Sequence, residues 1–145
     1  MFLTELNKEE ASAFLSLVTQ FAKVDETFAK EEKRLINDYL DELNLKEKDI
    51  KDLSYEEIIN VLKKSENRIK SIVYFELVGL ALVDGEYGDK EIDFLDKIAV
   101  SLDIRRDKKI AFANYFFNFK EIYDFSVVEA ESKIELLKEE AEALL

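Results

Sequence analysis

No proline interrupts the 145 residues, and the three glycines, Gly79, Gly85 and Gly88, all fall within ten residues of one another. An all-β chain needs glycine, proline or Asn-Gly signals at each hairpin, so this pattern excludes that class and leaves helices. The periodicity agrees. Phe14, Leu17, Val18 and Phe21 recur at helical spacing, and Asn7 followed by Glu10 has the form of a capping box opening a helix over 8–24. Ser54 with Glu57, Ser126 with Glu129, and Asp107 before Lys108-Lys109-Ile110 read as further starts. Helices are predicted near 30–44, 55–64, 66–83, 89–102, 107–124 and 127–144. About seven helices in one all-α bundle follow, forming a single domain over 1–145.

The segment RIKSIVYFELVGLALV (68–83) is apolar on nearly every face, as a helix surrounded by others would be. Gly79 within it costs about 1 kcal/mol against alanine, which marks a close helix crossing. Glu76 is its one acid. It either faces a solvent strip or pairs with a Lys or Arg, or it is a buried functional carboxylate.

Sliding the sequence by 59 residues places FAKVDETFAKEEKRLINDYLDELNL (21–45) on LALVDGEYGDKEIDFLDKIAVSLDI (80–104) without a gap. Ala22/Ala81, Val24/Val83, Asp25/Asp84, Glu32/Glu91 and Leu43/Leu102 are identical, and Phe28/Tyr87 and Leu35/Phe94 keep apolar type. The chain thus reads as duplicated helical hairpins near 8–45 and 66–104, followed by C-terminal helices over 107–144. Each unit has an Asp ending a helix and, seven residues on, a Glu in the first turn of the next. One reading is purely structural, with the acids meeting free amides and the helix dipole. In the other, hairpins packed about a pseudo-twofold axis bring Asp25, Glu32, Asp84, Glu91 and the additional Glu86 together around a cation. The spacing is not that of an EF-hand, whose closing Glu falls eleven positions after its first ligand.

The chain holds no His and no Cys, so any metal must be a hard cation with oxygen ligands, Ca²⁺ or Mg²⁺. Thiol and imidazole catalysis are excluded in the same way. With 33 acidic against 21 basic residues the formal charge is -12, which disfavours nucleic acid and anionic lipid and favours cations and basic protein surfaces. The longest apolar stretch, 72–83, contains Glu76 and is too short to span a bilayer, so no direct membrane insertion is expected. The lack of cysteine and of a signal-peptide pattern points to the cytoplasm.

Phe-Ala-x-Val-Asp (21–25), Glu31-Glu32, Leu80-Ala-Leu-Val-Asp-Gly-Glu (80–86), Glu91 and Phe94-Leu95 together resemble the TerB family of tellurite-resistance and stress-response proteins, over roughly 10–105. The TerB-like fold also occurs at the N-terminus of a membrane-anchored J-domain cochaperone. The resemblance implies an all-helical domain with pseudo-repeated halves, no enzymatic activity, and a metal site at Asp25, Glu32, Asp84 and Glu91, with Glu86 beside them. It implies partners among TerD-like or membrane-associated proteins. Where the second unit has Asp84-Gly85 the first has Asp25-Glu26; a positive φ there would cost Glu about 1–2 kcal/mol and weaken the first half-site.

Two further surfaces stand out. AFANYFFNFKEIYDF (111–125) carries more aromatics than one helical face holds, giving core and, in the alternative, a docking patch. Val127, Ala130, Ile134, Leu137, Ala141 and Leu144 form a narrow seam that packs on its own bundle or pairs with a second copy in a homodimer. A non-catalytic cation-binding module is the leading expectation. A metal-free adaptor and a Mg²⁺-dependent hydrolase are its alternatives.

Overall fold

A computed structural model describes residues 2–84, 88–120 and 127–145, and only the backbone course of 27, 28, 31, 83, 84, 119, 120 and 127–134. The described residues form an all-α bundle: α1 (Lys8–Ala22), α2 (Glu26–Leu43), α3 (Tyr55–Lys63), α4 (Asn67–Gly79), α5 (Asp89–Ser101), α6 (Arg106–Lys120) and α7 (Val127–Leu144). Among the described residues there is no strand.

Two of the expected starts are present in atomic detail. Asn7 Oδ1 accepts the Glu10 amide at 2.9 Å while the Asn7 amide donates to Glu10 Oε1 at 3.0 Å, and Ser54 and Glu57 repeat the arrangement at the head of α3. Each box occupies amides that a first turn otherwise leaves free. Asp107 lies inside the first turn of α6, which begins one residue earlier, and Ser126 is outside the described residues.

The hairpin of α1 and α2 packs with α3, and α4 packs against α3, α5 and α6. Ser71 to Phe75 and Leu77 to Gly79 are all buried, as the all-round apolar pattern of α4 requires. Phe75 is the hub of an aromatic cluster, with ring centroids 5.2 Å from Phe112 and Tyr115 and 4.7 Å from Phe116. Gly79 is the predicted close crossing: a Cβ there would lie 2.7 Å from the Phe116 ring of α6. Partly exposed Glu76 accepts the Phe2 amide at 3.3 Å, so it helps to hold the N-terminal turn. Beyond Gly79 the helix widens into a π-turn, Leu80–Asp84, which carries three consecutive buried side chains, Leu80, Ala81 and Leu82.

The ends of α2 and α5, 59 residues apart, close alike. Asn44 and Asp103 take left-handed φ values of 53° and 55°, and the amides that follow them bond back to Leu40 and Ala99 at 3.0 and 2.9 Å. This is the Schellman closure, with Asn and Asp filling the position usually given to glycine.

The helix starts do not coincide. α2 begins at Glu26 rather than near 30, whereas α5 begins at Asp89. The reason lies in composition: Glu26 and Ala29 are helix formers at the positions where the second unit has Gly85 and Gly88. Position 26 is therefore helical, and the positive φ considered for it is absent.

Tyr115 donates its hydroxyl to the Leu137 carbonyl at 2.9 Å, seating α7 on α6, and Leu137 and Ala141 are buried. The described part of the α7 seam is thus spent on its own bundle, while the side chains of Val127, Ala130 and Ile134 lie outside the description. Phe112, Tyr115 and Phe116 are core, whereas Phe117 is half exposed.

Candidate metal centre

Asp25 stands where α1 turns into α2. Its amide donates to Phe21 O at 3.1 Å and its carbonyl accepts the Ala29 amide at 2.9 Å, which makes it the residue that opens α2. It is 0% exposed. A buried carboxylate must be paired or bonded, and Asp25 does have interaction partners.

Glu91 is the third residue of α5 and is 7% exposed. Its Oε2 accepts the Gly88 amide at 3.0 Å, so one oxygen caps the helix that carries it. A Cβ at position 88 would lie 3.0 Å from that oxygen, and glycine leaves the carboxylate room to fold back. A carboxylate accepts more than one bond, so the cap does not exhaust Glu91 as a ligand.

Glu32 falls in the second turn of α2, not the first as the sequence pattern suggested, because α2 starts early. It stands seven positions after Asp25, a rise of about 10 Å along the axis. It is partly exposed where Asp25 is enclosed. Asp84 ends the π-turn, but its side chain is outside the description, and Glu86 lies wholly outside the described residues.

One contact links the two corners. The Phe21 ring, one turn before Asp25, lies 5.8 Å from that of Phe94, three residues after Glu91. The α1–α2 turn and the head of α5 are therefore neighbours in the bundle. Even so, among the described residues no three acids gather closely enough to hold a metal ion, so the expected convergence of Asp25, Glu32 and Glu91 is not found there.

Sequence reasoning missed other polar work. Ser12 and Ser16, buried on α1, accept the Lys51 and Leu53 amides at 3.2 and 3.1 Å and tie the segment before α3 to the core. Arg68 grips both carboxylate oxygens of Glu5, at 2.9 and 3.0 Å, and also reaches Glu142, joining the N-terminal turn, α4 and α7.

No family model, characterised protein or solved structure matches the chain. The fold defines the class, an all-α helical bundle. No helix among the described residues is long and apolar enough to cross a membrane.

Proposed function

We propose that this chain is a non-catalytic, TerB-like binding module that holds a divalent cation, Ca²⁺ or Mg²⁺, at the head of α5 beside the α1–α2 turn. Asp84, Glu86 and Glu91 are its principal ligands, Asp25 contributes from the first hairpin, and Glu32 is peripheral. The observation that carries the reading is the pair of enclosed carboxylates, Asp25 and Glu91, on corners joined by the Phe21–Phe94 contact. Enclosed carboxylates are oxygen donors of the kind a hard cation takes, and the neighbouring sequence Asp84-Gly-Glu86 supplies more of them. In the same reading the module works in the cytoplasm and docks stress-response partners, TerD-like or membrane-associated proteins, through the exposed Ile110 and Phe117 of α6.

A metal-free adaptor is the second reading, favoured by the Glu91 cap on Gly88, which accounts for one of these acids without any ion. Calorimetric titration with Ca²⁺ and Mg²⁺, on the natural chain and on an Asp84→Asn/Glu91→Gln variant, separates the two. Gln at 91 keeps the oxygen that accepts the Gly88 amide, so the cap survives. A cation module binds saturably and gains about 2.7 kcal/mol of stability at a hundredfold excess over Kd, and the variant loses both. Equal heats and melting temperatures for the two chains, with and without millimolar metal, leave the adaptor.

A further inference from the structure

The segment joining α2 to α3 is tied to α1 where its Lys51 and Leu53 amides donate to Ser12 and Ser16. Beside it lies a cavity of about 300 Å³. The apolar part of the wall is drawn from three places in the chain: Leu15 of α1, Ile36 and Leu40 one turn apart on α2, and Ile50 of the joining segment. Leu15 and Leu40 are buried, and Ile36 and Ile50 are partly so. The volume lies at the low end for ligand pockets, enough for a single ring with a short tail.

The polar part of the wall is made of acceptors. Ser16 and Thr19 each carry one hydroxyl proton, and both protons are already used: Ser16 Oγ donates to the Lys51 carbonyl at 3.4 Å and Thr19 Oγ1 to the Leu15 carbonyl at 3.1 Å. What these oxygens still offer is lone pairs. Glu47 and Asp52 add carboxylates, which only accept, and neither side chain is engaged in an ion pair or hydrogen bond among the described residues. The Lys51 ammonium is the one side-chain donor left in the wall, a single positive charge against two negative ones.

A wall that accepts hydrogen bonds and is negative on balance selects a ligand that donates them and is positive. The aliphatic side chains require the same ligand to have an apolar body. A bare metal ion fails the second condition, since a hard cation needs oxygen ligands on all sides, and an organic anion fails the first. We propose that this cavity binds a small organic ammonium, with its apolar body against Leu15, Ile36, Leu40 and Ile50 and its N–H groups toward Thr19 Oγ1 and the Glu47 and Asp52 carboxylates. None of these residues belongs to the cation centre proposed above, so the two sites stand or fall separately.

The test is a titration of the full chain with phenethylammonium chloride, followed by two-dimensional amide NMR, with phenethyl alcohol, phenylacetate and ammonium chloride at matched ionic strength as comparisons. Saturable shifts confined to residues 15–19, 36–40 and 47–53 are expected, with weaker binding of the alcohol and no saturable shift there from phenylacetate or ammonium. Glu47→Gln/Asp52→Asn should weaken phenethylammonium binding roughly fivefold, the worth of two exposed ion pairs, and leave the alcohol unaffected. The fold should survive the change, because both side chains are exposed and have no partner to lose. Absence of saturable shifts at these residues, equal affinity for the alcohol or phenylacetate, the same shifts from ammonium alone, or unchanged affinity in the variant would overturn the proposal.

Discussion

Replacing Gly79 with alanine places a methyl carbon 2.7 and 2.9 Å from two atoms of the Phe116 ring and 3.4 Å from a third. The ring has little freedom to retreat: it is 7% exposed, with the Phe75 centroid at 4.7 Å and the Tyr115 centroid at 4.9 Å. Overpacking of a filled core costs about 1–3 kcal/mol. Alanine's better helix propensity offsets at most about 1 kcal/mol, and less at the last residue of α4. The net expectation is a loss of about 1–2 kcal/mol, or a fall in Tm of roughly 3–8 °C for a chain of this size. Urea and thermal unfolding followed by circular dichroism measure it. Phe116→Leu removes part of the obstruction, so the double variant should be more stable than additivity predicts, by at least about 0.5 kcal/mol. A Gly79→Ala protein as stable as the natural one, or strictly additive effects, would refute the close crossing.

Other substitutions probe the polar framework. Asn7→Ala should cost about 1 kcal/mol in urea unfolding through loss of the α1 cap. Glu10→Ala should cost more, because it also strands the Ser65 hydroxyl that donates to Glu10 Oε2. Burial, with Glu140 and Glu76 nearby, pushes the Tyr115 phenol from 10.0 up to about 12. The unfolded chain therefore ionises first, and stability falls as pH rises from 10 to 12; phenolate absorbance should show one late-titrating tyrosine that Tyr115→Phe removes. The Arg68 guanidinium holds the Glu5 carboxyl below its usual 4.5. Its contribution is present above that pH and lost as pH falls through the lower folded value, a loss that acid unfolding of Arg68→Met should no longer show.

The helices were legible because their signals are local. Asn7 with Glu10 and Ser54 with Glu57 need only neighbours in sequence to form their boxes, and the all-round apolar face of α4 could have only one place in a bundle. Gly79 was readable as a crossing because glycine in a helix interior otherwise only costs stability. The early start of α2 was missed because the repeat suggested a loop where Glu26 to Ala29 had no residue to break a helix. Asn44 and Asp103 carry a local signal for the helix ends, since these side chains are the usual non-glycine occupants of the left-handed region. The candidate site was legible only as a set of acids. Whether Asp25 and Glu91 face one another depends on how the two hairpins pack, which the 59-residue spacing does not encode.

The proposed cation site is tested most directly with Mn²⁺, a hard cation that takes carboxylate ligands and broadens the NMR signals of nearby amides. At substoichiometric metal, broadening should be confined to the amides around Asp25 and from Gly88 to Glu91, and it should vanish in Asp84→Asn/Glu91→Gln. Broadening spread instead over the acidic surface, from Asp96 to Glu135, Glu139 and Glu142, with no preference for the Asp25–Glu91 corner, would contradict the account.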